Sequence, residues 1–349
     1  MTRFAWLQSR TQTLTVLALL AALAGGAAIT GVQLSHLYSS LVAPCHTGCD
    51  LATAQFLSHD HFLDQAFNIL AQVAPALIGI FWGAPLLARE FEVGTYRLAW
   101  TQSVTRRRWL VTKLGLVGLT SVTVAGLLTL TITWWYRALD TVSTNQYGVF
   151  DRRGIAPIGY AAFAVAAGAL IGVVIRRTVP AMATTLAVFV FARVATTLWV
   201  RPHLLSPLHK TMALTAGGQF GFASTNGSSV ALFASGSGPH DAWTRSSQIV
   251  THNGHTATTA ERVDFLRQYC PKVANPPELS SGHINHPVAA VDSAAQACSS
   301  LAARTFHLVV TYQPADRYWT FQWLETGIFF AAAVLAAIGC YLYVIHRTA

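Results

Sequence analysis

Six apolar runs, each close to the ~20 residues that a helix needs to cross a bilayer, dominate the chain. They lie at about 14–34, 66–87, 114–135, 157–175, 179–200 and 322–345. Between them fall a polar loop at 35–65, a charged hinge at 88–113, a loop at 136–156, the short turn Arg176-Arg177 and a long polar insert at 201–321. This pattern predicts an all-α polytopic membrane protein with six transmembrane helices. Residues 1–200 hold the first five spans, and residues 322–349 hold the sixth with a short tail. Pro75 and Pro85 interrupt the second run, which a membrane helix tolerates where neighbours satisfy the freed backbone groups. Within the insert, 258–269 and 288–304 carry the spacing of amphipathic helices. The glycine- and serine-rich stretch from Gly217 to Gly238 reads as a loop, and no repeat of fixed period is visible.

The direction of the spans follows from the Lys and Arg residues beside them. With the N-terminus inside, the inner segments carry Arg3, Arg10, Arg89, Arg97, Arg106, Arg107, Arg108, Lys113, Arg176, Arg177 and Arg347. The short outer loops carry Arg137, Arg152 and Arg153 alone. The eight basic residues of the insert are largely exempt from the rule, because long segments translocate regardless of charge. The expectation is a bacterial plasma membrane, both termini cytoplasmic, and residues 201–321 extracellular. Trp134-Trp135-Tyr136, Trp199, Trp319 and Trp323 fall at outer edges, and Trp6, Trp109 and Tyr343 at inner ones, as interfacial aromatic belts require. Residues 3–13 read as a short helix on the inner surface, or as a polar lead-in to the first span. Leu14–Leu34 reads as a retained span, since no cleavage site sits beside a short apolar core.

Composition agrees with the lipid setting: 53% of residues are hydrophobic and 11% charged, against about 25% charged in a soluble domain. The net charge of +9 is accounted for by orientation, and without a basic-aromatic motif it does not indicate nucleic acid. The chain lacks GxxxxGK[ST], HExxH, GxSxG and CxxC. It is therefore read as no enzyme and as holding no cofactor of its own, so that any ATP and Mg would be bound by a partner subunit.

Cys45, Cys49, Cys270 and Cys298 fall in loops placed outside, where disulfides are permitted. Cys45 and Cys49 close a small loop as a disulfide, remain free thiols, or join His46, His59, Asp60, His61 and Asp64 around a metal. That spacing matches no strong metal signature, and no metal is assigned. Cys270 and Cys298 form a second staple. Cys340, in an apolar run, packs as a small hydrophobe. Gly168 and Gly172 form a GxxxG, read as generic tight packing rather than a dimer seam.

The hinge stands out. Glu90 and Glu92 are the only carboxylates on the side placed inside. In the first turn of a hinge helix they would sit where the helix dipole favours them. Gly94-Thr95 then permits a close turn or a cap, and Arg106-Arg107-Arg108 with Lys113 re-enter at an anionic lipid surface. An ordinary positive-inside loop would explain the arginines but not the glutamates. Inside the fifth span Arg193 needs a partner or a watery cavity. It lies six residues before Trp199, and Glu325 lies six after Trp319, so both sit ~9 Å below the outer edge. An Arg193–Glu325 ion pair joining the fifth and sixth spans is expected. The alternatives are separate snorkelling to the surface and attraction of an anionic substrate by Arg193.

The sequence E90-F-E92-V-G94-T95-Y-R97-L-A-W100-T101-Q102-S103-V-T-R106-R107-R108-W109 resembles the permease subunits of type-2 (ABC-2) ATP-binding-cassette transporters, in an actinobacterial branch. The resemblance continues at Arg193, Arg201-Pro202, Tyr312-Gln313-Pro314, Arg317-Tyr318-Trp319, Phe321-Gln322 and Glu325-Thr326-Gly327. It implies a coupling helix between the second and third spans, a separate ABC ATPase subunit docking there, and assembly with a second copy or a paralogous permease. Glu90, Glu92, Gly94, Thr95, Arg97, Arg106, Arg107 and Arg108 are then the coupling residues. Efflux of an amphipathic, drug-like or lipid-like molecule is the expected activity. A receptor or assembly protein with a ligand-binding insert is the alternative, and it would need a signalling module for which the inner segments are too short.

Overall fold

The computed structural model describes residues 2–45, 49–59, 61–94, 105–140, 142, 147–214, 220–225, 229–234, 236, 238–239, 241–274 and 288–347. The chain divides into two compact units, Met1–Leu205 with Tyr318–Ala349, and Ser206–Arg317.

The first unit is a helical bundle. Six helices are long and apolar enough to cross a membrane: Leu14–Val42, His61–Val93, Arg106–Trp135, Ala156–Ile175, Thr178–His203 and Ala315–His346. Burial ranks them. The core window of the fourth is 61% buried and that of the first 6%, so the fourth span is the axis and the first lies at the margin. The fourth packs against the second, third, fifth and sixth spans, and the first against the third.

The fourth span fills the axis because its small residues let backbones meet. A Cβ built on Gly168 would lie 2.8 Å from the Ala84 nitrogen, and one on Gly172 2.5 Å from the Ala84 carbonyl oxygen. The facing surface is equally bare, since Cβ atoms on Gly79 and Gly83 would strike Ala164 and Val165. The GxxxG is therefore a seam inside this chain, between the second and fourth spans. The second span reaches it through a π-helical turn, Gly79–Gly83, four residues past Pro75. Proline removes a backbone donor, and a π-turn is a common place for the ladder to readjust. Pro85 follows that turn within the same continuous helix, so the π-turn falls where its missing backbone donor would otherwise break the ladder.

Several expectations are corrected. Residues 2–37 form one unbroken helix; no Gly or Pro separates residues 3–13 from the first span, so no separate surface helix exists. Of the hinge at 88–113, residues up to Val93 end one helix and Arg106 starts the next behind its Thr105 cap, while 95–104 lie outside the described residues. Trp135 is 1% exposed, and Tyr136 and Trp109 are also buried, so these rings are core rather than belt. Trp135 donates to Thr30 Oγ1 at 3.1 Å and meets the Phe67 ring edge-on. Trp199, Trp319 and Trp323 are exposed.

The all-α reading fails in the second unit. Strands β1 (Leu208–Ala213), β4 (Trp243–Thr251) and β5 (Phe306–Gln313) form an antiparallel sheet in the order β1-β5-β4. Strands β2 (Phe220–Thr225) and β3 (Ser229–Ala234) pair as a hairpin, within the stretch expected to be a loop. In β5 the side chains of Phe306, Leu308 and Val310 alternate inward, the period-two signature of a half-buried strand. The helices Thr259–Tyr269 and Val288–Thr305 accompany the sheet, the first opened by a reciprocal cap between Thr258 and Glu261. Leu232, Leu266, Leu308 and Val310 are central to one core, and the Cys270–Cys298 disulfide lies in it. The unit is narrower than 201–321, because Arg201–His203 continues the fifth span and Tyr318 already begins the last helix.

The glycine seam gives a direct test. Gly172→Val should lower the thermal stability of the detergent-purified protein by about 1–3 kcal/mol, the usual cost of overpacking. The same change at Gly115, whose Cβ would meet nothing within 4 Å, should be close to neutral.

Candidate functional site

Two sets of charged residues occupy opposite ends of the bundle. At one end, four ionisable side chains form a closed cluster. Arg193 Nη1 is 3.2 Å from Glu325 Oε1, and its Nη2 is 2.9 Å from Asp151 Oδ1. Arg201 donates from Nε to Glu325 Oε2 at 2.8 Å and from Nη2 to Glu325 Oε1 at 2.9 Å and to Asp151 Oδ1 at 2.5 Å. The Tyr160 hydroxyl donates to Glu325 Oε1 at 2.5 Å. Each guanidinium lies on an aromatic ring, Arg193 over Tyr160 at 3.7 Å and Arg201 over Phe150 at 4.2 Å. Glu325 is fully buried, Arg201 is 7% exposed and Asp151 26% exposed.

The two positive and two negative charges cancel, which is the condition for placing them in an apolar bundle. Local geometry delivers them. Arg193 and Arg201 are eight positions apart, which in a plain α-helix would rotate them about 80° from each other. The π-turn Thr196–Val200 lies between them and absorbs about one extra residue, which brings both onto one face. Gly154, with φ of 84°, lets the chain fold against Gln322; a Cβ there would lie 2.7 Å from Gln322 Oε1. The buried Gln322 amide accepts from the Ile155 and Ala156 N–H groups and donates to the Phe150 and Arg153 carbonyls. Burial pushes the Asp151 carboxyl up, but Arg201 and then Arg193 outweigh it and hold it at about 2.

A second layer surrounds this cluster. Arg152 reaches Asp64 at 3.0 Å and the Tyr136 hydroxyl at 2.8 Å, and Tyr136 in turn donates to Asp64. Arg153 holds both oxygens of Asp140, at 2.7 and 2.6 Å. Burial first, and the bond to Asp64 next, raise the Tyr136 hydroxyl well above the usual phenol range.

At the other end Glu90 and Glu92 occupy the last turn of the helix Ala84–Val93, not the first turn of a hinge helix. The dipole disfavours carboxylates there, and other elements compensate. Glu90 pairs with Lys113 of the third span. Glu92 Oε2 accepts from the Thr178 backbone N–H at 2.9 Å and its hydroxyl at 2.6 Å, capping the fifth span at its favourable N-terminus. Gly94 ends the helix in the left-handed conformation, φ 79°. Arg89, Arg107, Arg108, Arg176 and Arg177 are exposed, and Arg106 is half-buried. Thr95 and Arg97 lie outside the described residues.

Sequence reasoning named Arg193 and Glu325 and missed Arg201 and Asp151. Arg201 stood only among the residues that carry the family resemblance, at the start of the insert, and Asp151 was not singled out. Cys45 and Cys49 are disulfide-bonded, and no group of three or more metal-capable side chains occurs among the described residues. His46 and Asp60 lie outside them.

The sequence model of one family, described as ABC-2 membrane transporter related, matches residues 17–201, more than half of the chain. The chain belongs to this family. No curated protein and no solved structure matches it. ABC-2 permeases are membrane components of transporters, generally not catalytic themselves, and they generally pair with an ABC ATPase subunit. Six apolar helices and family membership make this protein a membrane transporter subunit. The match takes in Asp151, Arg193 and Arg201 and ends at Arg201, before the second unit and Glu325.

The cluster's connectivity governs charge swaps in this ABC-2 permease. Arg193→Glu with Glu325→Arg would place a carboxylate against Asp151 and a guanidinium against Arg201. Thermal melts should therefore show about 3–5 kcal/mol lost in either single variant and no recovery in the double; full recovery would mean an isolated pair. Asp151 has a depressed pKa, so its contribution is complete above the ordinary carboxylate value near 4 and is lost as pH falls through about 2. Stability should fall less steeply with acid between pH 4 and 2 in Asp151→Asn than in the parent.

Proposed function

We propose that this chain is the permease of an ABC-2 exporter in an actinobacterial branch. It would move an amphipathic, drug-like or lipid-like molecule across a bacterial plasma membrane. A separate ATPase subunit, holding ATP and Mg, docks at the connection between the second and third spans, and a second copy or a paralogous permease completes the pore. The end of the bundle bearing this connection is cytoplasmic, with both termini, and Ser206–Arg317 is extracellular. The exposed arginines favour that orientation. So do the disulfides, since Cys45–Cys49 and Cys270–Cys298 both fall in connections on the opposite side.

The observation that carries the reading is the bracing of the elbow. Glu90 ties the end of the second span to Lys113 on the third, and Glu92 ties it to Thr178 at the start of the fifth. A push on this connection moves three spans rather than a loop. Both carboxylates are engaged within the fold, so Glu90 and Glu92 transmit force, while Arg89, Arg107 and Arg108 meet the ATPase. Gly94, Thr95, Arg97 and Arg106 belong to the same connection. Differential binding of the ATPase in its nucleotide states would bias the bundle between two arrangements.

The test is copurification with a candidate ABC ATPase subunit coexpressed with this chain. Reversing Arg107 and Arg108 to Glu should lower ATPase retention by about tenfold or more, as loss of two charge-assisted contacts would. Glu92→Ala should retain the ATPase and lose efflux. Undiminished binding and efflux after reversal of both glutamates and both arginines would refute the reading.

A further inference from the structure

We propose that the segment Asp151–Gly154 is a latch that closes the bundle at the end opposite the elbow and opens in each transport cycle. Three consecutive side chains grip three different places. Asp151 holds Arg193 and Arg201 of the fifth span. Arg152 holds Asp64 at the start of the second span and Tyr136 at the end of the third. Arg153 holds Asp140. Gln322 and Glu325 of the sixth span bind the same segment and the same arginines. One short stretch of chain thus joins the second, third, fifth and sixth spans through polar contacts.

Polar bonding suits a part that opens. A static plug is as well made from apolar side chains, because buried ion pairs add little stability over a hydrophobic filling of equal volume. Ion pairs between separate spans have two discrete states, made or broken, and water can take over each charge once its partner leaves. The gradient of exposure says where release begins. Glu325 is wholly enclosed and Asp151 is 26% exposed, so water reaches Asp151 first and can solvate the guanidinium groups as they leave it. The π-turn Thr196–Val200 stands beside Arg201, and such turns are frequent at functional sites because they can shift by a residue.

The transport arm of this inference rests on the permease reading, but the latch itself is testable without it. Thr326 is 5% exposed, one residue deeper in the sixth span than Glu325. Thr326→Cys, with the free thiol Cys340→Ser removed, places a reporter beneath the latch. The probe is a membrane-impermeant, positively charged methanethiosulfonate applied to sealed cells. The reporter should be protected in the otherwise unchanged protein. It should react about tenfold faster or more once Asp151→Asn removes the charge-assisted bonds. Asp151→Glu, which keeps the carboxylate, should stay protected, which separates latch release from general loosening. Equal labelling of the parent and Asp151→Asn overturns the proposal, as does equal labelling of Asp151→Asn and Asp151→Glu with both fully reactive. In the complex with the ATPase, nucleotide turnover should expose the reporter of the parent. Hydrolysis that proceeds while the reporter stays protected would make the cluster a static staple and also overturn the latch. Failure of any ATPase to bind would refute the permease reading alone, and the comparison of variants would still decide the latch.

Discussion

A charge inside an apolar bundle has to be cancelled locally, and that single requirement organises this membrane unit. Glu325 is fully buried, and Arg201 nearly so. Neither would be stable alone at that depth, where removing one partner of a buried pair leaves an uncompensated charge. Asp151 and Arg193 complete the neutral set. Their presence dictates other features: the π-turn that aligns the two arginines, the aromatic rings beneath them, and Gly154, which clears room for Gln322. Gln322 then satisfies the backbone of the bend, which leaves the regular ladder just where the chain is buried.

The opposite end meets a milder version of the same constraint in a different way. Glu90 and Glu92 stand where a helix dipole repels them, and each is settled by a neighbouring span. Between the two ends the second and fourth spans meet backbone to backbone through Gly79, Gly83, Gly168 and Gly172. Close packing of this kind leaves no slack for independent sliding. The elbow, the seam and Tyr160 of the cluster therefore form one contiguous body. Contiguity is what allows one end to bias the other, and it is distinct from a measured coupling energy.

Much of the membrane unit was legible because bilayer thickness imposes a length and a composition on every span. What stayed hidden was set by side-chain partners and not by hydropathy. Trp135 and Tyr136 have belt-like composition at a span end, yet Phe67, Thr30 and Asp64 draw them inward. Arg193 and Glu325 could be matched by depth, because both lie within apolar runs. Arg201 and Asp151 could not, since a π-turn and a bend, neither visible as a periodicity, bring them into place. The strands of the second unit were missed for another reason. Its hairpin strands, Phe220–Thr225 and Ser229–Ala234, carry strand-favouring Phe220, Phe222, Val230 and Phe233, but each is only six residues long and lies in a glycine- and serine-rich stretch that reads as a loop. Phe306–Gln313 did alternate, but in a segment whose neighbours gave no pattern to pair it with.

The place in the chain where the second unit is inserted suits the same electrostatics. A folded insert is tolerated in a helical bundle when its two ends lie close together, so that host and guest can each fold as if the other were a short loop. Within the insert, Arg317 donates to the Ser206 carbonyl at 2.8 Å and joins the first residue to the last. Within the bundle, Arg201 and Glu325 join the corresponding ends of the fifth and sixth spans. Each unit ties its own two chain ends together. The family match ends at Arg201, the last residue of the bundle's own clamp before the chain departs. The five matched spans can thus carry the insert without disturbing their packing, provided that the sixth span returns a carboxylate to the waiting guanidinium groups.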